Sequence, residues 1–147
     1  MRLLCLQEKG LLWSLEEARC FPEDWQCLLM KRNYADFAWD SIGGNSEPQE
    51  FPLDTMQREV FEEVGWKIKD TIEVCRQWKN SVLEGFVYVS VPNECRFFDD
   101  APPYVLCNEV ACLQYFDLNV ILNDGMFKSN IKNRIQAFLA KESDFSL

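Results

Sequence analysis

Three glutamates near the middle of the chain, Glu59, Glu62 and Glu63, have the spacing of side chains that share one face of a helix. Positions i, i+3 and i+4 of an α-helix project within about 100° of arc. Like charges at these spacings repel, and each pair costs about a few tenths of a kcal/mol on an exposed helix. A hard divalent cation would reverse that repulsion by binding several carboxylate oxygens. The three side chains are therefore candidate metal ligands, although many glutamate-rich helices are simply solvated faces.

The residues around these glutamates predict the helix that would carry them. Asp54 is a candidate N-cap, and Gly65 stands where a helix commonly ends in a left-handed residue, so a helix of about ten residues fits between them. Met56, Val60 and Val64 lie on the adjoining side of that helix. We expect these three apolar side chains to anchor the helix to the core.

The chain contains no histidine and seven cysteines, and both facts limit its chemistry. Without histidine, Ser-His-Asp and Cys-His catalysis are excluded, so acid or base catalysis near neutral pH falls to carboxylates, Lys, Tyr, Cys or metal-bound water. The cysteines form no C-x-x-C pair and their number is odd, which leaves little support for a zinc site. We interpret them as small buried hydrophobes in a reducing cytosol.

The formal net charge of −9 disfavours extended binding to DNA or RNA, because positive surfaces bind phosphate backbones. A small anionic substrate can still bind an acidic protein when divalent cations invert the local field, so mononucleotides fit better than long polymers. No apolar stretch approaches the roughly 20 residues needed to cross a bilayer, and the N-terminal sequence turns polar at Gln7, too early for a signal peptide. We expect a cytoplasmic protein without a membrane partner. The sequence does not decide the oligomeric state, and a homodimer is one alternative.

The pattern along the chain predicts one folding unit that mixes strands and helices. Apolar, β-branched or aromatic runs at 25–31, 71–75, 85–91 and 111–116 predict strands. The segment 129–141 predicts a closing amphipathic helix with an apolar face of Ile131, Ile135, Phe138 and Leu139. No repeat or linker divides the chain, so residues 1–147 are expected to form a single domain. Strands interleaved with two helices favour an α/β fold in which helices pack on a mixed sheet.

A longer motif surrounds the three glutamates. Its full spacing is Gly44-x5-Glu50-x7-Arg58-Glu59-Val60-x-Glu62-Glu63-x-Gly65-Trp66. This string resembles the Nudix box, G-x5-E-x7-R-E-U-x-E-E-x-G-U with U a bulky apolar residue, and it matches at every specified position. Glu47 also matches an acidic residue often found there, whereas Ile42 replaces a proline that many members have before the paired glycines. The resemblance implies a Nudix-like α/β/α sandwich with a mixed sheet and the box helix packed on it.

The resemblance also implies an activity and a set of metal ligands. Nudix hydrolases cleave a diphosphate linkage in nucleotide-like substrates and depend on Mg²⁺ or Mn²⁺. The matching residues imply that Glu59, Glu62 and Glu63 bind one to three such ions, together with a backbone carbonyl from Gly43 or Gly44. Cations of this kind neutralise diphosphate oxygens, acidify water and position it for attack at phosphorus.

Further residues receive roles from the same resemblance. Arg58 is expected to orient the catalytic Glu59 and to pair with box carboxylates. Glu50 is expected to shape the site together with Arg58, and a role as a metal ligand is the alternative for Glu50. Glu109 precedes a segment similar to a strand that follows a catalytic loop in the family, so it is a candidate fourth ligand or general base, with an ordinary loop glutamate as the alternative. Substitutes for Glu109 in the preceding loop are Glu94, Asp99 and Asp100.

The sequence favours one substrate class only slightly. The segment Trp39 to Gly44 is similar to a W-x-S-V-T-G-type entry in members acting on nucleoside or pterin triphosphates, which favours a (deoxy)nucleoside triphosphate diphosphatase. A nucleotide-sugar or dinucleotide pyrophosphatase is the alternative, and a non-catalytic nucleotide-sensing or protein-binding Nudix domain is a second. An isopentenyl diphosphate isomerase is disfavoured, because that chemistry uses a histidine. Substrate-binding residues stay unassigned, since core packing is the commoner role of the aromatic candidates for base stacking, Trp39, Phe37, Trp78 and Phe86.

Overall fold

The computed structural model describes residues 2–8, 15–32, 39–65, 72–90 and 110–146. In these ranges the strands are β1 (Arg2–Glu8), β2 (Trp25–Arg32), β3 (Trp39–Asp40), β4 (Ile42–Gly43), β5 (Ile72–Lys79), β6 (Val82–Ser90), β7 (Val110–Asp117) and β8 (Asp144–Ser146). The α-helices are α1 (Leu15–Cys20), α2 (Pro52–Val64), α3 (Leu118–Asn123) and α4 (Ser129–Leu139), and a 3₁₀ turn spans Pro22–Asp24.

The strands form one mixed sheet with the order β3-β2-β1-β6-β5-β8, in which β4 also pairs with β1 and β7 with β2. The pairs β1–β6 and β5–β8 are parallel, and the remaining pairs are antiparallel. The four predicted strands are present, each within a few residues of its predicted bounds. Strand β1 was not anticipated, although it occupies the centre of the sheet between β2 and β6.

Two separate apolar clusters show that helices cover both faces of this sheet. Successive side chains of a strand point to opposite faces, and along β2 Cys27 and Leu29 belong to one cluster while Leu28 belongs to the other. Residues of α1, α3 and α4 join Cys27 and Leu29, whereas α2 packs with Leu28. The predicted sandwich is therefore confirmed. Burial on both faces also explains why β2 reads as a continuous apolar run rather than an alternating one.

Helix α2 differs from its prediction at its beginning and agrees with it at its end. Asp54 is not the N-cap: the helix begins at Pro52, Phe51 is the N-cap residue, and the Thr55 N–H donates to the Phe51 carbonyl at 3.0 Å. Proline favours the first helical position because its φ is already helical and its missing N–H needs no partner there. At the other end Gly65 adopts φ 77° and its N–H donates to the Phe61 carbonyl, as predicted.

The apolar faces of both predicted helices are confirmed. Met56, Val60 and Val64 of α2 are fully buried against the sheet. The apolar face of α4 is buried as predicted, except that Leu139 is only partly buried, and the helix ends two residues before the predicted Lys141. Among the described residues, no helix is long and apolar enough to span a bilayer.

The cysteine prediction holds in part. Cys27 and Cys75 are buried free thiols within the first apolar cluster, as expected for small hydrophobes. Cys20 and Cys112 are exposed, so for these two the prediction of burial is wrong. Cys20 is the last residue of α1, and Cys112 lies on β7, whose pairing partner in the described sheet is β2 alone. Helix ends and edge strands leave side chains in solvent, which accounts for the difference.

Candidate active site

The loop that follows β4 lies directly against α2. Gly43 pairs with Arg2 of β1, adopts φ 151° and donates its N–H to Glu63 Oε1 at 2.9 Å. That backbone conformation favours glycine, because it is one that side-chain-bearing residues rarely adopt. A Cβ placed on Gly44 would overlap the carboxyl group of Glu59. Gly43 and Gly44 therefore permit close contact between the loop backbone and the glutamates of α2.

Arg58 donates hydrogen bonds to three of the four glutamates of the box. Its Nε and Nη2 donate to the two oxygens of Glu50 at 2.7 and 3.0 Å, which is a bidentate pair. Its Nη1 donates to Glu59 Oε1 and to Glu62 Oε2, both at 3.1 Å. Nη2 also donates to the carbonyl of Asn45 at 3.0 Å, which fixes the guanidinium to the loop. These contacts agree with the pairing expected for Arg58.

The Arg58 cluster, which we define as Arg58 with Glu47, Glu50, Glu59 and Glu62, carries excess negative charge. Glu47 completes it, with its carboxylate 3.8 Å from Nη1. Four carboxylates around one guanidinium leave three negative charges. The hydrogen bond to Glu50 raises the pKa of Arg58 above its usual value, so the guanidinium is permanently charged and cannot itself remove the imbalance.

Glu50 is the most tightly held carboxylate of the cluster. Its pKa is lowered to about 2 by the hydrogen bond from Arg58 first and by that from Thr55 second. The Thr55 hydroxyl donates to Glu50 Oε1 at 2.7 Å and accepts from the Ser46 hydroxyl at 2.7 Å. The Glu47 N–H also donates to Oε1, at 3.1 Å. Both oxygens of Glu50 are thus engaged within the protein.

Thr55→Val is expected to raise the pKa of Glu50, since it removes a donor to the ionised form. A carboxyl with a depressed folded pKa stabilises the fold above its unfolded pKa, and this contribution disappears as pH falls through the folded pKa. In the wild type this stabilisation by Glu50 is lost between about pH 4.5 and about pH 2. In Thr55→Val the loss of this stabilisation should be complete at a higher pH than in the wild type. NMR titration of the Glu50 carboxyl checks this, with Thr55→Ser, which keeps the hydroxyl, as the control; equal pKa values in the two variants would contradict the assignment.

The structure separates three glutamates that the sequence could only place on one face. Glu59 and Glu62 both accept from Nη1 of Arg58, and the Glu62 side chain is 53% exposed against 17% for Glu59. Glu63 is 3% exposed and accepts the N–H of Gly43 instead. One glutamate therefore faces solvent, one lies under Gly44, and one is buried against the loop.

The donor set of this site suits a hard divalent cation. Its three box glutamates offer only carboxylate oxygens, the ligands that Mg²⁺ and Mn²⁺ prefer. Within the described ranges, no three Cys, Asp or Glu side chains converge on a common position for one ion. The carboxylate oxygens point instead toward Arg58 and the Gly43 N–H. The excess negative charge and the close approach of Gly44 to Glu59 fit a cation between the loop and α2.

Other predicted site residues lie elsewhere. Glu109 and its substitutes Glu94, Asp99 and Asp100 lie outside the described residues, as do Phe37 and Trp66. Trp39 packs edge-on against the Phe116 ring at 4.8 Å between centroids, Phe86 packs against the cluster around α2, and the Trp78 Nε1–H donates to Asp144. The structure thus places Trp39 and Phe86 in core packing, the commoner role expected for them.

Sequence reasoning missed three members of this site. Thr55 donates to Glu50, the Asn45 carbonyl accepts from Arg58, and Ser46 bonds to Thr55, all from positions that the motif leaves unspecified. The available signal was one hydroxyl residue in the loop after the glycine turn and another at the start of the predicted helix. Such residues are common in any loop, so this signal is weak.

Comparisons with known proteins identify the family and the fold of the chain. The model of the NUDIX domain matches residues 17–128, about three quarters of the chain. No curated protein has a significantly similar sequence. A MutT protein from Methanosarcina mazei Go1 is similar in structure, with 21% identity, a TM-score of 0.57 and coverage of 93% of this chain and 88% of that chain.

Two further solved structures are similar over most of their length. An ADP-ribose pyrophosphatase from Streptococcus suis 89-1591 has 18% identity and a TM-score of 0.61, and the match covers 96% of this chain and 87% of that one. The NUDIX domain of Shewanella oneidensis NrtR, complexed with ADP ribose, has 14% identity and a TM-score of 0.61, and the match covers 96% of this chain and 84% of that one. At such identities these likenesses establish the fold, and the domain match establishes the family. The chain therefore belongs to the Nudix hydrolase family.

Proposed function

We propose that this chain is a Mg²⁺- or Mn²⁺-dependent hydrolase that cleaves a diphosphate linkage in a small nucleotide, working as a single domain of residues 1–147. The observation that carries the proposal is the Arg58 cluster, which gathers four carboxylates beside the Gly43–Gly44 loop and keeps three uncompensated negative charges. Repulsion among carboxylates at one site is relieved when a divalent cation takes their oxygens. A site built only to stabilise the helix would not need this excess charge.

In this proposal Glu59, Glu62 and Glu63 hold the cation, together with a carbonyl of Gly43 or Gly44. A bound divalent cation supplies Lewis-acid chemistry, neutralising the diphosphate oxygens and acidifying water for attack at phosphorus. The positions of the three glutamates support this assignment, because each accepts a hydrogen bond from a defined donor: Glu59 and Glu62 from Arg58, and Glu63 from Gly43. Side chains whose rotation is limited in this way reorganise less than free ones when they bind an ion.

Arg58 and Glu50 act as positioning residues in the proposal. Nη1 of Arg58 bridges Glu59 and Glu62 through one nitrogen, which sets the distance between two of the carboxylates. Glu50 uses both oxygens on Arg58 and Thr55, and this supports a positioning role more than a ligand role. Glu109 remains the proposed fourth ligand or general base.

For the substrate we propose a nucleoside diphosphate joined to another group, with a (deoxy)nucleoside triphosphate ranked slightly above nucleotide sugars and dinucleotides. The names of the structural relatives support small nucleotides in general, since one holds ADP ribose and another is an ADP-ribose pyrophosphatase. The NrtR complex, in which a NUDIX domain holds ADP ribose, is compatible with binding alone as well as with hydrolysis. Hydrolysis is favoured over that alternative because every specified carboxylate of the box is present.

The proposal predicts hydrolysis that is absent in EDTA and restored by Mg²⁺ or Mn²⁺. Purified protein is screened against nucleoside triphosphates, nucleotide sugars and dinucleotides, and the products are identified. Release of pyrophosphate or a nucleoside monophosphate is expected, and the metal should raise the melting temperature because it binds only the folded state. Undiminished turnover in EDTA would contradict the metal role. Binding of a nucleotide without turnover under any metal would favour the nucleotide-sensing alternative.

A further inference from the structure

A buried arginine outside the box contacts the segment that leads into the glycine loop. Arg134 of α4 is 2% exposed. Its Nη1 donates to Asp40 Oδ1 at 3.0 Å and to Ser41 Oγ at 3.2 Å, and its Nε donates to Gln77 Oε1 at 3.0 Å. Arg134 thereby joins the closing helix to β3, to β5 and to the residue that separates β3 from β4. These contacts bridge segments more than fifty residues apart along the chain.

Asp40 and Ser41 connect Arg134 to the site, because they directly precede the strand that contains Gly43. Ser41 is fully buried and immediately precedes β4, so it lies two residues before Gly43 and three before Gly44. The Ser41 N–H donates to Asp40 Oδ1 at 2.7 Å, the same oxygen that accepts from Arg134. A displacement of Asp40 or Ser41 would therefore shift the start of a strand that is only two residues long.

A second arginine approaches the same pair from β1. Arg2 Nη1 lies 3.4 Å from Asp40 Oδ2 and donates to the Ser41 carbonyl at 3.3 Å. Asp40 is thus held between Arg2 on the central strand and Arg134 on the closing helix. Arg134 is the more deeply buried of the two, with a side-chain exposure of 3% against 23% for Arg2.

The burial of Arg134 has an energetic cost that makes its geometry specific. Desolvation is the main cause that lowers the pKa of its guanidinium, and the charge of Asp40 opposes that shift. Buried charges are tolerated when they are paired and hydrogen-bonded. Because the planar guanidinium donates in fixed directions, it holds Asp40, Ser41 and Gln77 in one arrangement that a lysine could not reproduce.

We propose that Arg134 is a positioning residue for the glycine loop. Through Asp40 and Ser41 it fixes the entry to β4, and so the Gly43 N–H that contacts Glu63 and the Gly44 backbone that contacts Glu59. Its effect on cation affinity rests on the proposed function, whereas its effect on the backbone does not.

The test compares Arg134→Gln with Arg19→Gln. Arg19 is the matched control because it also contacts α4, donating to the Phe138 carbonyl at 2.9 Å, but it does not reach β3 or β4 by that bond. Amide hydrogen exchange is measured at Gly43, with Leu28 of β2 as the reference for global unfolding. In Arg134→Gln, exchange at Gly43 should be at least about tenfold faster relative to Leu28, and in Arg19→Gln the ratio should be unchanged.

The Mn²⁺ concentration at the midpoint of binding supplies a second readout. It should rise roughly tenfold in Arg134→Gln and stay unchanged in Arg19→Gln, as for a residue that orients metal ligands. An unchanged exchange ratio at Gly43 in Arg134→Gln would overturn the positioning role. If exchange at Gly43 is faster in Arg134→Gln but the wild type binds no Mn²⁺, the positioning role is upheld and the proposed function is rejected. If Arg134→Gln does not fold, Asp40→Asn is measured in its place. Exchange at Gly43 relative to Leu28 should then be faster than in the wild type, by a smaller factor than expected for Arg134→Gln, and an unchanged ratio in Asp40→Asn would overturn the proposal.

Discussion

Glu62→Gln is expected to lower kcat/KM by about a hundredfold or more and to raise the Mg²⁺ concentration needed for half-maximal rate. Glutamine keeps the size of the side chain and removes the negative charge, so the proposed cation site loses a ligand. The effect on folding should be small, because the Glu62 side chain is 53% exposed and exposed ion pairs contribute little. Metal affinity and turnover should therefore fall together while the melting temperature without metal changes little.

The control for Glu62→Gln is Asp54→Asn. Asp54 is an exposed residue in the first turn of the same helix, so its replacement removes one charge from α2 outside the Arg58 cluster. Steady-state kinetics at several Mg²⁺ concentrations should give wild-type values for this control. A Glu62→Gln variant with wild-type kcat/KM and metal dependence would remove Glu62 from the proposed ligand set.

Gly44→Ala is expected to reduce activity by about a hundredfold with little loss of stability. The added Cβ would overlap the carboxyl group of Glu59, and the overlap involves the end of a flexible side chain. Rotation of Glu59 can relieve it at small cost to the fold, but that rotation moves the carboxylate away from its position beside the loop and from Arg58. A displacement of about 1 Å in a catalytic arrangement can cost a factor of about 10² in rate.

Gly125→Ala is the matched control, because a Cβ there meets nothing within 4 Å. Kinetics and thermal unfolding are measured on both variants. Turnover should fall in Gly44→Ala alone, and the melting temperatures of both variants should stay near that of the wild type. If Gly44→Ala retained full turnover, the close contact between Gly44 and Glu59 would have no role in catalysis.

The end of α2 and its packing could be predicted because short-range rules decide them. Gly65 supplies the left-handed residue that ends the helix, and the spacing of Met56, Val60 and Val64 defines its buried face. The beginning of α2 was misplaced because Asp54 is a good capping residue by type. Pro52, two positions earlier, satisfies the first helical position without any side-chain cap.

Features that depend on distant parts of the chain could not be predicted. Strand β1 is central because it pairs in parallel with β6, and no local pattern specifies that partner. The different environments of Glu62 and Glu63 arise because the Gly43 N–H lies beside only one of them, which helical spacing cannot reveal. Arg134 belonged in the sequence to an ordinary amphipathic helix, and its role depends on a contact with Asp40 across the fold.

The most direct test of the metal site is paramagnetic broadening by Mn²⁺ in NMR spectra of the isotopically labelled chain. At substoichiometric Mn²⁺, amide signals nearest the ion disappear first. The structure places the glycine loop and the glutamates of α2 together, so the signals of Gly43, Gly44, Glu59, Glu62 and Glu63 should be lost before all others. Preferential loss around another carboxylate, such as Asp124 or Asp144, or uniform loss over the whole chain, would contradict a cation site between the loop and α2.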